Sequence, residues 1–89
     1  MNTPAYPSTA AVIDVRSSEE FRDGHVAESI NIPLYELGTR IDEIRAMSPV
    51  VLCCASGGRS YMGTGILRQQ GVEAYDGGSW MDVNHHKNN

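Results

Sequence analysis

Val50-Val51-Leu52-Cys53-Cys54-Ala55-Ser56-Gly57-Gly58-Arg59-Ser60 runs three structural signals together. The apolar run reads as the end of a buried strand. The glycine-rich, proline-free stretch reads as a turn, and Arg59-Ser60 open a helix-like stretch that reaches Gln70. Every residue of that turn keeps its N–H, and Gly57 and Gly58 accept φ > 0 without steric penalty. Successive N–H groups from Ala55 to Ser60 can therefore curl inward as an anion-binding nest closed by a helix N-terminus. A cysteine at the lip of such a nest is biased toward thiolate, the reactive form. The expectation is a nucleophilic cysteine in an oxyanion-shaped cradle, with Cys53 and Cys54 as the two candidates.

Strand-like and helix-like segments alternate on either side of that stretch. Ala11 to Val15 is a short, nearly continuous apolar run, expected as a strand buried on both faces. Ser17 or Ser18 can cap a short helix through Phe21, with Glu19 and Glu20 at its positive end and Gly24 as its stop. Ile30-Asn31-Ile32 is a second strand ended by Pro33. Leu34, Leu37, Ile41 and Ile44 form a helical stripe with a break near Gly38. Gly71 ends the helix after the loop, Val72 to Tyr75 is a fourth strand, and Gly77-Gly78 is a turn before Trp80. Such alternation implies an α/β class with a mostly parallel sheet of four to five strands flanked by helices. Residues 1–9 read as a lead-in and 81–89 as a polar tail of one domain, 1–89, with His85 and His86 in a frayed end.

Ligands of open parallel sheets bind beyond the carboxyl ends of strands. Asp14 and Arg16, after the first strand, are thus expected near the cysteine loop as support. Asp14 would fix loops by hydrogen bonds, and Arg16 would pair with a neighbouring carboxylate. His25 reads as a structural turn residue, and Trp80 as core.

The chain has 89 residues, enough for one small core that buries about 60–65% of its unfolded surface. A net charge of −4 argues against nucleic acid or a membrane surface as partner, so an anionic substrate must be attracted locally. No apolar run approaches the roughly 18 residues of a membrane span, and no basic region with an apolar core marks a secretory leader. Adjacent cysteines make a disulfide staple geometrically unfavourable and point to a reducing compartment, with the cytoplasm as the default. Neighbours such as His85-His86 do not face one metal site. No metal and no organic cofactor is expected.

Val12-Ile13-Asp14-Val15-Arg16, Glu20-Phe21, Gly24-His25-Val26 and Asn31-Ile32-Pro33-Leu34 resemble the opening signature of a rhodanese domain. Cys54-Ala55-Ser56-Gly57-Gly58-Arg59-Ser60 is similar to that family's active loop, and Gly77-Gly78 with Trp80 to its closing motif. The resemblance runs in order from about residue 11 to 80. It implies a small rhodanese-like domain and a sulfurtransferase that takes sulfane sulfur from thiosulfate or another persulfide donor. The resulting Cys54 persulfide would pass to cyanide or a thiol. Residues Ala55 to Ser60 would bind the substrate, with the Arg59 fork on the donor's sulfonate.

Loop length separates the two cysteines. Counted from Cys54 to Arg59 the loop has the six residues typical of single-domain rhodaneses. Counted from Cys53 it has the C-x5-R spacing of phosphatases and arsenate reductases, a wider cradle suited to a tetrahedral oxyanion. That second reading lacks the glycine usual three residues after a phosphatase cysteine, since Ser56 stands there. Cys53 then reads as a small buried hydrophobe. A non-catalytic binding module is a third alternative. The family usually has a strand and a helix before the Asp-x-Arg strand, and the short lead-in leaves little room for them. Four main strands with an exposed edge are expected, in a monomer or weak homodimer. The last helix is expected to be truncated.

Overall fold

A computed structural model describes residues 6–88, so the first five residues of the lead-in and Asn89 lie outside it. Four strands form one parallel sheet in the order β2-β1-β3-β4. They are β1 (Ala11–Asp14), β2 (Ile30–Asn31), β3 (Val50–Cys54) and β4 (Ala74–Ser79). Helices α1 (Ser18–Arg22), α2 (Ile41–Met47), α3 (Gly58–Gln69) and α4 (Trp80–Lys87) connect and flank them. The class is α/β, as the alternation implied.

β3 lies at the centre, and all five of its residues are buried. Alternate side chains of a strand point to opposite faces. Val50, Leu52 and Cys54 accordingly join one apolar cluster with Ile13, Ile44 and Leu67. Val51 and Cys53 join a second cluster with Val12, Val26 and Val83. The sheet thus separates the two adjacent cysteines onto its two faces.

The apolar stripe after Pro33 breaks at Arg40, near Gly38 as expected: a 3₁₀ helix, Leu34–Thr39, precedes α2. Two local expectations are corrected. The fourth strand begins at Ala74 rather than Val72, because Val72 closes α3. Its N–H bonds the Leu67 carbonyl at 3.0 Å while the Gly71 N–H bonds that of Arg68 at 3.0 Å, a Schellman closure with Gly71 at φ +77°. Gly77 and Gly78 continue β4 instead of turning, opposite a register irregularity between Leu52 and Cys54. A Cβ on Gly77 would stand 2.6 Å from Val83 Cγ2 and 2.9 Å from Val51 Cγ2, so only glycine lets β4 lie this close.

The polar tail is also corrected. Residues 81–87 belong to α4, and His85 and His86 lie on that helix. The Ser79 hydroxyl caps it by accepting from the Asp82 N–H at 3.1 Å. Val83 inserts into the second cluster, and Lys87 Nζ donates to the Ser8 and Ala10 carbonyls at 3.0 and 3.3 Å. One buried valine and one lysine tie down a helix that shows no apolar stripe.

Candidate active site at the Cys54 loop

Cys54 ends β3, and Gly57 caps α3 in the left-handed region at φ +107°. Any residue with a Cβ would be strained there. This bend brings the chain back over the sulfur. The Gly57 N–H donates to Cys54 Sγ at 3.0 Å and the Ser60 N–H at 3.3 Å. The sulfur thus sits under the positive end of α3, as the nest reading requires. Burial raises the Cys54 pKa, but the Ser60 hydroxyl and the N–H groups of Ser60, Gly57 and Ser56 outweigh it, and the net shift is downward. Ala55, Ser56 and Gly58 are exposed on the loop.

Cys53 has the opposite environment. It is buried on the other face, and its pKa is pushed up to about 12, by burial first and then by the Asp14 carboxylate. The thiol that the C-x5-R reading needs is turned away from the Arg59 loop and held neutral.

Asp14 and Arg16 meet as a buried pair. Arg16 Nε donates to Asp14 Oδ1 at 2.9 Å and Nη2 to Oδ2 at 2.7 Å. The remaining capacity of Nη2 goes to the Gly24 carbonyl at 2.7 Å, and the guanidinium lies 5.1 Å from the centre of the half-buried Trp80 ring. Asn31 Nδ2 bridges the carbonyls of Asp14 and Arg16 at 3.0 and 2.9 Å. These groups brace the loop after β1. His25 stacks on Phe21 with ring centroids 3.7 Å apart, as a turn residue.

Arg59 is engaged too. Its two Nη groups donate to Glu20 Oε1 and Oε2 at 2.8 and 2.9 Å, so the fork expected on a donor's sulfonate is filled by the protein's own carboxylate. Glu20 also completes the capping box of α1, accepting from the Ser17 N–H at 3.1 Å. Arg59 first, and then the Ser17 backbone, hold the Glu20 carboxyl down at about 2.

Sequence reasoning passed over Asp76. Its Oδ1 accepts from the fully buried Ser60 hydroxyl at 2.7 Å and from the Gly78 N–H at 3.0 Å. Its place directly after the expected strand Val72 to Tyr75 was the available signal. Among the described residues no group of three His, Cys, Asp or Glu gathers to hold a metal ion. No helix there is long and apolar enough to cross a membrane.

A family model described as Rhodanese-like domain matches residues 2–80. An uncharacterized Bacillus subtilis protein, YqhL, is 44% identical over 68 residues, covering 75% of this chain and 54% of its own. A protein of Allochromatium vinosum named sulfurtransferase is 33% identical over 60 residues, covering 67% of this chain and 56% of its own. The chain spans about half the length of these two relatives. A solved Escherichia coli rhodanese with anions superposes with a TM-score of 0.71 at 32% identity, covering 82% of this chain and 89% of that one.

Proposed function

Because the chain belongs to the rhodanese-like domain family, we propose that it is a sulfurtransferase working through a Cys54 persulfide. The supporting observation is the sulfur itself, lowered in pKa and held by two amide donors at the start of α3. Cys54 thiolate attacks the outer sulfur of thiosulfate. The new S–S bond forms as the old one breaks, and sulfite leaves with the bonding pair. The persulfide then gives its terminal sulfur to cyanide, forming thiocyanate, or to a thiol, and the thiolate returns.

Backbone donors suit this chemistry, since they stabilise an anionic sulfur in both halves of the cycle without a base. Ala55 to Ser60 form the cradle. Arg59 reaches a donor's sulfonate only by leaving Glu20, so Glu20 competes with the donor for the fork. A small anionic donor, a cyanide or thiol acceptor, a monomer or weak homodimer and a cytoplasmic, reducing setting complete the proposal.

Thiocyanate production from thiosulfate and cyanide tests it. Cys54→Ser should abolish turnover, because a hydroxyl is a poor sulfur acceptor, while Cys53→Ser should keep most of it. The reverse ranking would move the site to Cys53. A folded wild-type protein that neither turns over nor gains sulfur would leave the binding-module reading.

A further inference from the structure

Ser60 has one hydroxyl hydrogen and four polar atoms around it, three oxygens that can accept that hydrogen and the Cys54 sulfur, which donates to Ser60 Oγ. Asp76 Oδ1 lies at 2.7 Å, the Gly57 carbonyl at 3.1 Å, the Gly78 carbonyl at 3.4 Å and Cys54 Sγ at 3.5 Å. The shortest contact is to the only carboxylate of the four, and a hydroxyl bonds best to an ionised acceptor. With its hydrogen on Asp76, Ser60 turns a lone pair toward Cys54. That arrangement suits a thiol, whose S–H can donate to Oγ, and disfavours a thiolate. The carboxylate is itself aimed, since Gly78 takes φ +80° and places its N–H 3.0 Å from the same Oδ1.

We propose that Asp76 is a positioning residue for Cys54, acting by drawing the Ser60 hydroxyl away from the sulfur. When Cys54 ionises, the hydroxyl has to leave Asp76 and rotate to donate to the sulfur beside the two amides. Asp76 therefore opposes ionisation, and the Ser60–Asp76 bond sets how much thiolate stands ready at neutral pH. The inference rests on Cys54 being the reactive thiol.

Other charged groups near the two residues are accounted for. Arg59 on α3 is paired with Glu20 of α1. Asp14 and Arg16 at the end of β1 are paired with each other, and Cys53 on β3 faces the opposite side. Arg68 of α3 shares an open groove with Asp76 and donates its Nε to the Ala74 carbonyl at 2.8 Å.

The test is the pH profile of Cys54 alkylation by iodoacetamide, which needs no sulfur donor. Asp76→Ala should move the midpoint down by about one pH unit, so that the rate below the midpoint rises about tenfold. Ser60→Ala should move it up. In the Ser60→Ala background, Asp76→Ala should do nothing further, because the connecting hydroxyl is gone. Equal shifts in both backgrounds would mean that the carboxylate acts by its field alone, and would overturn the proposal. So would an unchanged or raised midpoint in the Asp76→Ala single variant. Should Asp76→Ala fail to fold, Asp76→Asn carries the same test, with a smaller shift of the same sign and the same dependence on Ser60. Persulfide formation is scored separately, so a failure of sulfur transfer leaves this cycle readable.

Discussion

Iodoacetamide should label Cys54 and leave Cys53 untouched in the folded protein. Burial pushes the Cys53 thiol up to about 12, so at roughly pH 8 about one molecule in ten thousand carries a Cys53 thiolate. Cys54 lies below its ordinary value of 9.0, so at the same pH more than about one in ten is ionised. Thiolate is the nucleophile, and the two rates should differ by about a thousandfold or more from ionisation alone. Exposure adds little, since the residues are 0% and 1% exposed. Both cysteines fall on one tryptic peptide, from Ala46 to Arg59, so fragment ions split between Cys53 and Cys54 must locate the label. Cys54→Ser should reduce labelling of the native protein to the background rate, and Cys53→Ser should leave it unchanged. Comparable labelling of the two sulfurs at neutral pH would refute the assignment of opposite environments.

Glu20→Gln should lower the KM for thiosulfate by about three- to tenfold, because the Arg59 fork is released, with kcat little changed. An unchanged KM would mean that Arg59 does not meet the donor. The same variant tests acid stability. The folded pKa of Glu20, about 2, lies below its ordinary 4.5, so the stabilisation is present above 4.5 and lost as pH falls toward 2. With the side chains of Arg59 and Glu20 39% and 37% exposed, solvent screening limits the pair to about 0.5–1 kcal/mol. Melting curves of wild type and Glu20→Gln should therefore differ at neutral pH and converge near pH 2; a gap that persists at low pH would place the effect elsewhere. Gly77→Ala should cost about 1–3 kcal/mol by overpacking against Val83 and Val51, lowering the Tm by roughly 4–8 °C per kcal/mol in a chain of this size. Gly58→Ala, where nothing lies within 4 Å of the added carbon, is the control and should not lower the Tm; equal losses would contradict the close-approach account.

The loop was legible because its signals are local. Consecutive apolar residues, a glycine at a left-handed cap and a helix start specify the Gly57 bend without reference to anything distant. The two cysteines differed in sequence by the count to Arg59 and by Ser56 standing where a phosphatase loop has glycine; the pleat of β3, which turns Cys53 to the other face, is an observation of the structure. Partners distant in sequence were not legible. Glu20 lies 39 residues from Arg59, and Asp76 lies 16 from Ser60. Periodicity carries no information about such pairings. The extent of β4 was misread because glycine pairs signal turns, whereas here Gly77 removes a side chain from a tight contact. Helix α4 was misread because a single buried residue, Val83, anchors it together with the Ser79 cap.

The most direct test of the central claim is the intact mass of the protein after incubation with thiosulfate and desalting. Wild type and Cys53→Ser should each gain one sulfur atom and lose it on addition of cyanide, while Cys54→Ser gains none. A wild-type protein that gains no sulfur, or a Cys54→Ser variant that still does, would contradict sulfur transfer through Cys54.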